Sequence, residues 1–199
     1  MLPFEDVCAF VIGSGRTAPA AIETCMARRQ GRLVVTVNRS HRVHDVTGDV
    51  HVFIDGDIDD GSSYFDEVPC ICDASVWSNA DHIALPGVGG PLGRYLNPGR
   101  LILRPNTAVT AALWALSVGC RPVIMLGCRC LDEGRHATHQ LEAMRNARVE
   151  LMEHSSDVFD GDDARSLRAA LTAETIEHAR CRAWAHADDA GQRLREFYR

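Results

Sequence analysis

The sequence predicts an α/β fold in three layers, built on a mostly parallel sheet and closed by a long C-terminal helix. Three observations carry this. Short apolar runs of strand length alternate with segments of helical periodicity. Residues 33–37, Leu-Val-Val-Thr-Val, are β-branched and nearly continuous, as a strand buried on both faces must be. The first apolar run ends in Gly13-Ser14-Gly15, directly ahead of a helical pattern.

In chain order, residues 8–12 form the first strand and 17–29 a helix that tolerates Pro19 in its first turn. Strands follow at 33–37 and 50–54, the latter stopping at Asp55, with shorter candidates at 68–72, 83–85 and 101–103. Residues 86–99 hold five glycines and three prolines and read as one long loop. An apolar helix spans 107–118 and ends at Gly119, and a strand follows at 123–126. A helix over 139–147 and a last strand at 149–152 complete the sheet. From 163 onward Ile176, Ala179, Ala183, Ala187, Ala190, Leu194 and Phe197 recur at helical steps, with Gly191 expected to interrupt the helix near its end. The expected layout is Rossmann-like, with residues 1–160 as one domain and 161–199 as a helical segment packed on the same domain.

Composition removes several chemistries. All 21 basic residues among the 199 are arginine. Without lysine there is no Schiff base, no P-loop of the usual kind and no Tyr-x-x-x-Lys pair. From Val43 to Gly93 there is no arginine, while acids run from Asp45 to Asp81, a surface that repels nucleic-acid phosphates. At 6% aromatic content, a stacking platform for single strands is thin as well. Cys8, Cys70, Cys72 and Cys120 sit in or beside apolar runs and read as buried thiols. Cys70-x-Cys72 and Cys128-x-Cys130 lack the spacing of common zinc sites, so no metal site is expected at the cysteines. No apolar run reaches the roughly 20 residues of a membrane span. The start, Met-Leu-Pro-Phe-Glu-Asp, carries acids where a signal peptide carries positive charge, so the expected location is the cytoplasm.

The chemistry-bearing residues gather at strand ends. Gly13 and Gly15 let the backbone approach a phosphate at a helix N-terminus, with Ser14 and Thr17 as added hydroxyl donors. Gly13-x-Gly15-x-x-Ala18 satisfies the dinucleotide fingerprint. Asn38-Arg39-Ser40 ends the second strand. It suits the 2′-phosphate of a phosphorylated nicotinamide cofactor, or, through Asn38, the base or ribose of a mononucleotide. Asp55 reaches the same edge, and Asp57, Asp59 and Asp60 after it can hold Mg²⁺ on a diphosphate. Asn106 and Thr107 open the apolar helix as a cap or a second phosphate anchor, and Gly127 ends the next strand. His136 and His139 follow, with a side-chain pKa suited to proton transfer.

Taken in order, these motifs resemble a nucleotide-binding superfamily that includes the bacterial sialyltransferases of glycosyltransferase family 42 and the archaeal 6-hydroxymethylpterin diphosphokinase-like proteins. Both groups begin with a strand and a Gly-x-Gly-Pro-Ser turn, here Gly13-Ser14-Gly15-Arg16-Thr17. Both carry an asparagine after the second strand, here Asn38. The run from Thr47 to Asp55 approximates the diphosphokinase-like Pro-Asp-hydrophobic segment. Asn106 through Gly119-Cys120 to Gly127 reproduces their turn, apolar helix, second turn and strand. His136-Ala137-Thr138-His139 and Ser155-Ser156 follow the sialyltransferase layout. The resemblance implies that Gly13 to Thr17, Asn38, Thr107 and Gly127 bind a nucleotide, cytidine first, and that His139 or His136 is the base. Arg16 replaces the proline of the first turn, and Arg129 the aspartate two residues beyond the strand glycine.

The expectation is therefore a transferase with a nucleotide-activated donor, sialyltransferase-like, acting on a small-molecule or glycan acceptor. Its variants are a Mg²⁺-dependent diphosphokinase, a reductase using a phosphorylated nicotinamide, and a nucleotide-binding protein without turnover, with a homo-oligomer open in each case.

Overall fold

The computed structural model describes residues 1–15, 19–58, 61–76, 81–90, 96–128, 138–178 and 188–199. Seven parallel strands form the main sheet: β1 (Ala9–Ile12), β2 (Leu33–Val37), β3 (Val50–Phe53), β4 (Cys70–Asp73), β5 (Ile83–Leu85), β8 (Val123–Leu126) and β9 (Val158–Asp160). Their spatial order is β5-β4-β3-β2-β1-β8-β9. The chain thus builds outward from β1 to β5, then returns to the other side of β1 through β8 and β9. The order reverses between β1 and β8, where open α/β sheets leave a crevice at their carboxyl edge.

Strand alternation divides the core in two. Val11, Val35, Val52, Ile71 and Met125 face α4 (Thr107–Ser117), every residue of which is buried. A helix apolar all round belongs inside, and α4 is covered in turn by α5 (Thr138–His154) and α7 (Asp188–Phe197) through Ala147, Leu151, Ala190 and Leu194. Trp114 of α4 donates its indole N–H to the Tyr198 hydroxyl at 3.1 Å, and Tyr198 donates to the Pro98 carbonyl at 2.7 Å. On the opposite face, Phe10, Ile12, Val34, Ile124 and Leu126 pack against α1 (Pro19–Met26) and α6 (Ala164–His178). Phe53, Cys70 and Cys72 continue that face under α3 (Ser63–Glu67). The short helix α2 (Ser40–His44) joins β2 to β3. Arg32, ahead of β2, grips the buried Glu174 of α6 at 2.6 Å.

The structure departs from the sequence reading in three places, at residues 149–152, in the 86–99 loop and at Gly191. Residues 149–152 are not a strand but the last part of α5, whose inward stripe of Leu141, Ala147 and Leu151 runs through them while Val149 points outward. The strand lies further on, at β9. The 86–99 loop is partly ordered: β6 (Gly87–Val88) pairs in parallel with β7 (Leu101–Ile102). Gly191 does not interrupt a helix; it lies inside α7, where a Cβ would come within 2.9 Å of Pro69, so glycine serves close packing. The C-terminal stretch is described as α6 and α7, and Ala179, Ala183 and Ala187 lie outside the described residues. Among the described residues no helix is long and apolar enough to cross a membrane.

Candidate functional site

The carboxyl edge at the β1/β8 reversal is laced shut by backbone. Gly13 N–H donates to the Leu126 carbonyl at 2.8 Å, and Gly15 N–H to the Gly127 carbonyl at 2.7 Å. A Cβ on Gly13 would stand 2.5 Å from the Gly127 oxygen. Gly127 itself has φ +62, and a Cβ there would meet the Gly13 and Gly15 oxygens at 2.9 Å each. Close approach requires glycine at both positions. The two amides that the sequence offered to a phosphate are therefore engaged by the β8 turn. Ser14 is exposed between them; Thr17 lies outside the described residues.

Two side chains hold this knot, and the sequence reading missed both. His44, at the end of α2, donates Nε2–H to the Gly13 carbonyl at 3.0 Å. Burial pushes its pKa down, while the carbonyls of Gly13 and Gly15 pull the other way. Asp162, just past β9, accepts the Gly127 N–H. Burial, then the Asp160 carboxylate, push its carboxyl above the ordinary range, against Arg148 and the amides of Gly127 and Cys128. Arg148 of α5 is ion-paired with Asp160 and lies 3.9 Å from Asp162. The Cys128 thiol is buried beside them and held well above its usual range by desolvation. Placing a strand at 149–152 hid Asp160-Gly161-Asp162 as a strand-end turn. His44 carried no signal among nine histidines.

The second half of the site is Asn38 and Thr107. Asn38 ends β2 with φ 50, a left-handed conformation that asparagine adopts more readily than most residues. That turn aims its amide at the start of α4, where Nδ2 donates to Thr107 Oγ1 at 3.1 Å. Asn38 Oδ1 is buried with no hydrogen-bond partner among the described residues. If the amide is reversed, Thr107 donates to the oxygen and the NH₂ takes the unpartnered place. In either assignment one end of the amide has no partner among the described residues.

The remaining candidates fall elsewhere. Asn106 caps α4, accepting the Ala108 N–H at 2.9 Å, so its side chain is engaged in the helix. Ser40 is fully buried and accepts the Val37 N–H at 3.0 Å, a turn-closing role. Arg39 pairs with Asp57 at 3.4 Å, both largely exposed, a contact of little energetic weight. Asp55 is exposed at the end of β3; partial desolvation, then Asp57, raise its carboxyl pKa. Asp59, Asp60 and His136 lie outside the described residues. His139 is exposed in the first turn of α5, and roughly 13 Å of helix axis separates it from Arg148 at the glycine knot.

Compared with protein-family models, curated proteins and solved structures, the chain matches none.

Proposed function

We propose that the protein is a transferase that binds a nucleotide-activated donor over Asn38 and Thr107, in sialyltransferase-like glycosyl transfer. The observation that supports this is the end of the Asn38 amide, at the carboxyl edge, that has no partner among the described residues. A buried polar group without a partner costs about 1–3 kcal/mol, which a base amine or ribose hydroxyl would recover. The start of α4 lies against it and favours an anion, so the donor phosphates rest there and not on the engaged amides of Gly13 and Gly15. The same field stabilises the departing nucleotide. His139, or His136, takes the acceptor proton. Cytidine nucleotides lead because of the sialyltransferase resemblance.

The lacing of Gly13 and Gly15 favours a second reading, nucleotide binding without turnover. With Ser40 buried and bonded to the Val37 N–H, the phosphorylated-nicotinamide reading is left with the exposed Arg39 and has the least support. For the diphosphokinase variant, Asp55 and Asp57 are exposed acids after β3, and EDTA sensitivity of turnover distinguishes it.

A thermal-shift screen of cytidine, adenosine and nicotinamide nucleotides tests the proposal. A nucleotide at 100 times its dissociation constant stabilises the fold by about 2.7 kcal/mol. Asn38→Ala should weaken its binding by about 1–3 kcal/mol. If no nucleotide shifts the wild type at millimolar concentration, the reading fails.

A further inference from the structure

Away from α4, on the other face of the sheet, three buried histidines meet. His51 of β3 is fully buried, while His41 of α2 is 9% and His82, ahead of β5, 7% exposed. The His41 ring stacks on Tyr64 of α3 at 4.1 Å and meets His51 edge-on at 5.4 Å. Phe65 and Phe53 wall the chamber at 5.3 and 6.0 Å from the His51 ring, and Phe53 touches His82.

The polar contacts of His51 are few. Thr36 Oγ1 lies 2.9 Å from its Nδ1 and 2.6 Å from the Tyr64 hydroxyl. Nε2 is buried with no hydrogen-bond partner among the described residues. The groups facing the ring are Thr36 from β2, His41 from α2, Tyr64 from α3, Cys70 from β4 and His82. Of the described acids nearby, Asp49 pairs with Arg29, and Asp66, Glu67 and Asp81 are exposed, as is Arg42. A second proton on His51 would thus place a charge in an apolar chamber beside two more imidazoles, with no acceptor for its Nε2–H among the described residues.

We propose that this chamber is an acid-operated latch, in which protonation of His51 lifts α2 and α3 from the sheet and, through His44 on the same α2, frees the Gly13 turn. The opening stands on the chamber alone; its effect on a ligand rests on the nucleotide reading above. The cover is suited to local opening, because α2 and α3 are five residues each, too short to persist without packing. Burial, then His41 and His82, lower the His51 pKa from 6.5 to about 3. The closed form therefore excludes a proton that the open form accepts below pH 6.5. Linkage makes the opening constant about thirtyfold larger at pH 5 than at pH 7.5.

Hydrogen exchange on the full chain at pH 7.5 and 5.0, corrected for intrinsic rates, tests this. Peptides over 40–44 and 63–67 should open about thirtyfold more at pH 5.0, with α4 unchanged. His51→Phe, which fills the chamber without a titratable nitrogen, should abolish the response; His51→Gln serves if the phenylalanine variant does not fold. Equal protection at both pH values overturns the latch. So does equal acceleration in α4, which is global acid unfolding, or a response that survives in the variant that folds. If neither variant folds, ring NMR of the wild type decides: His51 titrating near 6.5 with α2 and α3 still protected overturns it. A fall in cytidine-nucleotide affinity at pH 5.0, present in wild type and absent in the variant, supports the coupling; unchanged affinity overturns that coupling. An exchange response in a chain that binds no nucleotide removes the ligand reading and leaves the latch.

Discussion

The Asp162 carboxylate accepts the backbone N–H of Gly127 across 35 residues of chain, tying the turn after β9 to the turn after β8. Asp162→Ala leaves that buried N–H without an acceptor. The expected loss is about 1–3 kcal/mol, read as a lower urea midpoint at unchanged slope. Asp162→Asn keeps an acceptor oxygen and removes the charge, so it should stay within about 1 kcal/mol of wild type at pH 7. An alanine variant as stable as wild type would show that the contact does not hold the turn.

Gly127→Ala and Gly61→Ala form a matched pair. Both glycines have positive φ, +62 and +71, but a Cβ at 127 meets two carbonyl oxygens at 2.9 Å and one at 61 meets nothing within 4 Å. Gly61→Ala should cost only the left-handed penalty of about 1–2 kcal/mol. Gly127→Ala should cost clearly more and abolish any nucleotide shift. Equal costs in thermal unfolding would mean that the β1 and β8 turns can part without penalty.

Glu174→Ala addresses the attachment of α6. Its carboxylate is 1% exposed and grips Arg32, itself 13% exposed, at 2.6 Å. Removing one partner of a buried pair strands the other charge, at about 3–5 kcal/mol. Arg32→Ala in the Glu174→Ala background should then cost much less than alone. Additive costs in that cycle would show that the two side chains act independently.

Strands whose apolar character is continuous are legible in the sequence: residues 123–126 and 33–37 fall where the pattern places them. Their shortness and β-branched content, bounded by turns, separate such runs from a buried helix. The amphipathic end was harder. Val149 and Leu151 suggested a strand because a β-branched residue on the outer face of a helix looks the same in sequence. Arg148, turned toward Asp160 and Asp162, fills the place that an apolar residue would mark. Asn38 and Thr107 stand apart in the sequence as a strand-end and a helix-start residue, and the structure joins them at 3.1 Å. His44 and the His51 chamber went unread. An imidazole becomes informative only through what surrounds it, and Thr36, Tyr64 and His41 come together through pairing and packing that one sequence does not display.

Exchanging Asn38 and His139 separates binding from chemistry. Asn38 lies at the proposed nucleotide contact, while His139 is exposed at the far end of α5, well along the helix from the glycine knot. His139→Ala should therefore leave nucleotide affinity within about twofold. If it is the base, it should lower turnover by roughly 10²–10⁴-fold, with the loss in kcat. Asn38→Ala should show the reverse, weakened nucleotide binding with the acid limb of the pH–rate profile in place. The comparison with His136→Ala fixes which of the two histidines moves the proton. If both single variants turn over a cytidine-activated donor at the wild-type rate, neither histidine is the base. If the wild type binds the nucleotide without consuming it, the non-catalytic reading replaces the transferase, and Asn38→Ala remains its test.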